Sequence, residues 1–149
     1  MADTFTQLYV HIIFSTRNRE KSLSKSFREE VFKYTAGIIN KKGHKSLAVN
    51  GAIDHIHIFL GFKPAIKISD FVKDIKLTTG DFIKERKFVN NFYWQEGYGA
   101  FTYSHSQLND VINYIKNQEK HHKRKTFKEE NLEFLEKFEI QYDPKYVFE

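Results

Sequence analysis

No cysteine occurs in the 149 residues, which excludes disulfides and thiolate metal centres and fits a reducing compartment. No apolar run approaches the length of a membrane span, and the first residues lack the apolar stretch of a signal peptide. There is no Gly-x-x-x-x-Gly-Lys loop, so no nucleotide triphosphate site is visible to drive a reaction. Internal repeats, low-complexity tracts and long linkers are also missing. These absences lead to the expectation of one soluble, cytoplasmic domain spanning residues 1–149, of a size able to bury a proper core.

What is present leans toward a polyanion. The formal charge is +5 and the isoelectric point about 9.2. Arg17, Arg19, Lys21 and Lys25 form one basic cluster, and His121, His122, Lys123, Arg124 and Lys125 form another. Aromatic residues make up 16% of the chain, and Phe92, Tyr93, Trp94, Tyr98, Phe101 and Tyr103 crowd one segment. Unstacked bases can lie on such rings. At least half of these rings are expected to fill the core, with Tyr98, set between two glycines, exposed.

The periodicities give the element order. Residues 8–16 alternate, Val10, Ile12 and Phe14 against Tyr9, His11 and Ser15, as in a half-buried strand. Ser26-Phe27-Arg28-Glu29 has the form of a capping box and opens a helix that Gly43 stops. Strands are expected over 46–50 and 53–62, a helix over 69–87, and a strand-like stretch around a glycine turn in 91–104. A helix carrying Leu108, Val111, Ile112 and Ile115 follows. A last helix opens with Thr126-Phe127-Lys128-Glu129 and is expected to bury Leu132, Leu135 and Phe138. The fold class is therefore α+β. It is a ferredoxin-like or RNA-recognition-type β-α-β-β-α-β antiparallel sheet with additional C-terminal helices, and an open sheet face.

Chemistry concentrates in two places. In His55-Ile56-His57 the two imidazoles project from one face of a strand, while Ile56, Ile58 and Leu60 pack on the other. Paired neutral imidazoles can hold a divalent metal whose remaining positions go to oxygen ligands. Tyr114 and Gln118 stand one helical turn apart along the edge of an apolar stripe. Taken singly, each pair also reads as ordinary structure: two half-exposed strand histidines, and a boundary tyrosine showing its hydroxyl to water.

Together, these motifs make the chain resemble the single-tyrosine HUH transposases of bacterial insertion sequences, the IS200-like transposases. The resemblance rests on Tyr9-Val10-His11-Ile12-Ile13-Phe14-Ser15-Thr16-Arg17, Asp54-His55-Ile56-His57-Ile58 and Lys76. It continues through Trp94-Gln95-Glu96-Gly97-Tyr98-Gly99-Ala100-Phe101, Tyr114-Ile115-Lys116-Asn117-Gln118 and His121-His122. It implies that Tyr114 is the nucleophile and that Gln118 joins His55 and His57 at a divalent metal, Mg²⁺ or Mn²⁺. It implies single-stranded or hairpin DNA as substrate, cleaved through a 5′-phosphotyrosine, and a nucleoid-associated location. It further implies a homodimer whose active sites are shared between subunits. Asp54 is read as orienting a ligand imidazole or shaping the turn. Arg17, Arg19, Tyr98, His121, Lys123 and Arg124 are the nucleic-acid contacts expected, and His11 is assigned no chemistry. The alternative function is a non-catalytic or domesticated nucleic-acid-binding module of the same fold.

Overall fold

The computed structural model describes residues 4–121 and 125–142, without the side chains of Glu119 and His121. Four strands, β1 (Tyr9–Ser15), β2 (Lys45–Gly51), β3 (His55–Gly61) and β4 (Gly99–Tyr103), form one antiparallel sheet in the order β2-β3-β1-β4. The helices are α1 (Arg28–Lys41), α2 (Ile68–Glu85), α3 (Leu108–Lys116), the short α4 (Gln118–His121) and α5 (Phe127–Lys137). The β-α-β-β-α-β order and the extra C-terminal helices are those expected. Among the described residues, no helix is long and apolar enough to cross a membrane.

The alternation in β1 and β3 divides the core in two. Val10, Ile12 and Phe14 join Ile56, Ile58 and Leu60 on one face, under Phe32 and Ile39 of α1 and Phe71, Val72 and Ile75 of α2. Each such side chain contributes roughly 1.5–3 kcal/mol on burial. The opposite face is not open, which corrects the expectation. Ala48 and Phe59 pack against Val111 and Ile115 of α3, and Ile13 and Phe101 against Phe127 and Phe134 of α5. The reason is that Phe59, Phe101 and Ile13 leave an apolar surface there, and amphipathic helices cover it. His55 and His57 sit beneath this second layer.

Several local readings change. Ser26 does not cap α1: its hydroxyl pairs with that of Ser24 at 3.1 Å, and the helix starts one turn-forming residue later, at Arg28. Gly43 does end α1, in the left-handed conformation at φ 88°. Within 91–104 only Gly99–Tyr103 is a strand, and upstream a single bridge joins Trp94 to Thr16. Helix α3 stops at Lys116, because Asn50 of β2 donates its amide to the carbonyls of Ile115 (3.0 Å) and Lys116 (3.1 Å). Tyr114 and Gln118 therefore lie on either side of a break at Asn117. In α5, Thr126 accepts from the Glu129 amide as a cap, but the buried face is Phe127, Glu130 and Phe134. Leu132 and Leu135 are only half-buried.

At the β2–β3 turn a side chain on Gly51 would place its Cβ 2.2 Å from the His55 carbonyl oxygen. Glycine is thus needed for the hairpin to close against the strand that carries the histidines.

Candidate active site

β3 is a central strand, paired with β1 so that His55 faces Ser15 and His57 faces Ile13. Period-2 alternation puts both imidazoles on the α3/α5 side, and neither retains exposed surface. Asp54, at the turn, holds His55 Nδ1 with its Oδ1 at 2.7 Å. His55 Nε2 is thereby left to face inward, where Gln118 Oε1 lies at 3.2 Å.

Helix α5 supplies the residue that sequence reasoning missed. Glu130, buried, places Oε1 2.9 Å from His57 Nε2 and 3.7 Å from His55 Nε2. Its other oxygen, Oε2, accepts a short hydrogen bond from the Tyr114 hydroxyl. The phenol, the carboxylate and both imidazoles thus meet inside one chain. Burial, and then the neighbouring Glu130 charge and hydrogen bond, push the Tyr114 pKa far up, so the phenol holds its proton at neutral pH. The signal for Glu130 was a lone carboxylate on the apolar stripe Phe127–Glu130–Phe134; such residues ordinarily face solvent, so it was passed over.

His11 was also missed. Its Nε2 lies 2.7 Å from His57 Nδ1, and the two rings stack with centroids 5.0 Å apart. Burial first, then the neighbouring His57, keeps its pKa well below the usual imidazole value, so the ring is neutral. Its place on the alternating strand was legible, but its diagonal contact with His57 follows only from the β1–β3 register.

The nitrogen and oxygen atoms that His55, His57 and Glu130 offer lie within 4.8 Å of one another. Two imidazole nitrogens with a buried carboxylate form a donor set that fits a divalent cation. With Asp54 on its far nitrogen, the His55 ring is held in the way metal-binding histidines usually are.

The site is closed from above. The Phe127 ring stacks on His55 with centroids 4.8 Å apart, and Gln118 is fully buried. A cavity of about 310 Å³, lined by Tyr103, Gln107, Asp110, Glu133 and Lys137, opens beside Tyr114 and Glu130.

The other expected contacts scatter around this end of the sheet. Arg17 and Arg19 form a tight turn whose start is tied to the site, since the Thr16 amide donates to the Asp54 carbonyl at 2.8 Å. The Arg17 guanidinium lies 4.1 Å above the Tyr93 ring. Tyr98 is 40% exposed, near Lys76. Lys76 donates to the carbonyls of Gln95 (2.8 Å), Glu96 (3.1 Å) and Gly97 (2.8 Å), and so holds the loop that leads into β4. Burial lowers its pKa to about 8. Lys123 and Arg124, with His122 and the His121 side chain, lie outside the described residues.

Comparison with known proteins places these features in context. The family model described as "Transposase IS200 like" matches residues 4–118. No curated protein matches the chain. Among solved structures, a candidate transposase from Deinococcus radiodurans R1 superposes with a TM-score of 0.63 at 22% identity, covering 79% of this chain and 95% of that one. A REP-associated tyrosine transposase bound to a REP hairpin superposes with a TM-score of 0.58 at 13% identity, covering 82% and 73%. At these identities, what the two solved proteins share with this chain is the fold.

Proposed function

The chain belongs to the IS200-like transposase family, and we propose that it cleaves and rejoins single-stranded DNA at hairpin-flanked ends, with Tyr114 as the nucleophile. One observation carries the reading: the Tyr114 hydroxyl donates to Glu130, whose other oxygen lies 2.9 Å from His57 Nε2. A nucleophile, a proton acceptor and a pair of metal-binding rings are thereby joined.

The phenol oxygen attacks the scissile phosphorus and its proton passes to Glu130 Oε2. The P–O3′ bond breaks, and the 3′ oxygen leaves with the electron pair and takes a proton from solvent. The products are a 5′-phosphotyrosine and a free 3′ hydroxyl. A later attack by a 3′ hydroxyl on the phosphotyrosine reverses the exchange. One ester replaces another at each step, so no nucleotide triphosphate is needed. Because burial holds the phenol protonated, the adjacent carboxylate is the group that makes it a competent nucleophile.

A divalent cation, Mg²⁺ or Mn²⁺, held by His55, His57, Gln118 and Glu130, would polarise the phosphate and neutralise developing charge. Nitrogen ligands favour Mn²⁺ and cellular abundance favours Mg²⁺. Asp54 orients His55. Arg17 and Arg19, with Lys123 and Arg124, are assigned to the DNA backbone, and Tyr98 to an unpaired base. A DNA substrate goes with work at the nucleoid. A non-catalytic module of the same fold would have no use for a buried tyrosine–carboxylate–imidazole chain, which is why the catalytic reading is preferred.

The test is incubation with hairpin DNA and Mn²⁺, followed by denaturing electrophoresis. Wild-type protein is expected to form a covalent adduct. Tyr114→Phe is expected to form none while binding the hairpin within about twofold of wild type, since phosphate contacts set affinity. An adduct on Tyr114→Phe would assign the nucleophile to another tyrosine and end this reading.

A further inference from the structure

Behind His57, on the side away from Glu130, the structure holds a second imidazole. His11 is fully buried among the rings of Phe101, Tyr103 and Phe134, and its Nε2 lies 2.7 Å from His57 Nδ1. Its own Nδ1 is buried and, among the described residues, has no hydrogen-bond partner. In such an aromatic box a phenylalanine would carry no polar atom of its own to satisfy, but it would leave the buried His57 Nδ1 without this partner. The imidazole is therefore to be explained by what it does for His57.

The reason lies in proton placement. A neutral imidazole carries one N–H and one lone pair, and a hydrogen bond made by one nitrogen decides what the other presents. When His57 Nε2 carries its proton, it donates to Glu130 Oε1 at 2.9 Å, and its Nδ1 must accept from His11 Nε2–H. When His57 Nε2 is to offer a lone pair to a cation, its Nδ1 must carry the proton and donate to His11 Nε2. Only a partner able to act as donor in one case and acceptor in the other serves both states. The unpartnered Nδ1 of His11 takes up the change, as a bare lone pair in the first state and an N–H in the second. The total number of protons on the two rings is the same in both.

We propose that His11 is a positioning residue for His57: by exchanging tautomer with it, His11 presents His57 Nε2 as a donor to Glu130 in the metal-free protein and as a ligand when a divalent cation binds. The proposal rests on the reading of His57 as a metal ligand.

The test uses the full chain with ¹⁵N-labelled histidine and no DNA. In metal-free protein, an NMR coupling across the hydrogen bond between His11 Nε2 and His57 Nδ1 is expected, with His57 protonated at Nε2. Addition of Mg²⁺ is expected to move the His57 proton to Nδ1. For affinity, Mn²⁺ binding is read by electron paramagnetic resonance. His11→Phe is expected to bind Mn²⁺ about tenfold or more weakly, the usual scale for such supporting partners. His11→Gln, whose amide can donate or accept, is expected to recover affinity to within about threefold of wild type.

Wild-type protein that binds Mg²⁺ with an unchanged His57 tautomer overturns this proposal and leaves the proposed function standing. So does a folded His11→Phe with wild-type Mn²⁺ affinity. A wild-type chain that takes up neither cation overturns both. Should His11→Phe fail to fold, the wild-type spectra and His11→Gln decide the matter.

Discussion

Glu130 stands between the phenol and His57, one oxygen to each. Its proposed role as proton acceptor is tested by Glu130→Gln, which keeps size and hydrogen bonding but accepts a proton poorly. Single-turnover cleavage of hairpin DNA is expected to slow by about 100-fold or more, the lower end of general-base effects, with DNA binding intact. A wild-type rate would remove Glu130 from the chemistry. Its place was hidden in the sequence for a physical reason: a single glutamate in a helix is most often solvated, and only the packed structure shows it turned inward. It also lies past residue 118, where the family match ends. His55 and His57 were legible as a same-face pair because the strand period fixes which side chains share a face. Tyr114 and Gln118, by contrast, read as one turn apart on a single helix, reach the histidines from either side of the break at Asn117.

At the scale of elements, the same motif gave two outcomes. Thr126-Phe127-Lys128-Glu129 closes as a cap, while Ser26-Phe27-Arg28-Glu29 does not, since Ser24 competes for the Ser26 hydroxyl. Local alternatives of this kind are invisible to a four-residue pattern. The order of elements was readable, yet the rotation of α5 was not, because Leu132 and Leu135 compete with Phe127 and Phe134 for the inner face. The cap of α5 matters beyond stability, as this helix covers the histidines. Thr126→Ala should cost α5 about 1 kcal/mol. Hydrogen exchange is expected to quicken in 127–137 and to stay unchanged in β1 and β3. Equal protection in both variants would mean that packing alone holds the helix.

For the whole molecule, the covered second face is the main departure from expectation. A β-α-β-β-α-β order specifies only the helices of its own layer, and what lies on the other face depends on the C-terminal helices docking there. That docking brings Tyr114, Glu130 and both imidazoles together within one chain, whereas the resemblance implies subunits that share sites. Mixing Tyr114→Phe with His57→Ala protein separates the two. A self-contained chain gives an inactive mixture on the denaturing gel. Recovery of covalent adduct, together with a dimer by light scattering, would establish exchange of the tyrosine helix between subunits.

Asn50 ties down the end of α3, and the adjacent Gly51 lets the hairpin close on His55. Tyr114 and the imidazoles are in this way moored to the same β2–β3 hairpin. Fastened to one hairpin, they are expected to shift together when it moves. The carboxylate of Glu130 reaches them from a separate element, α5, so the registration of that helix on the sheet sets the distance from carboxylate to imidazole.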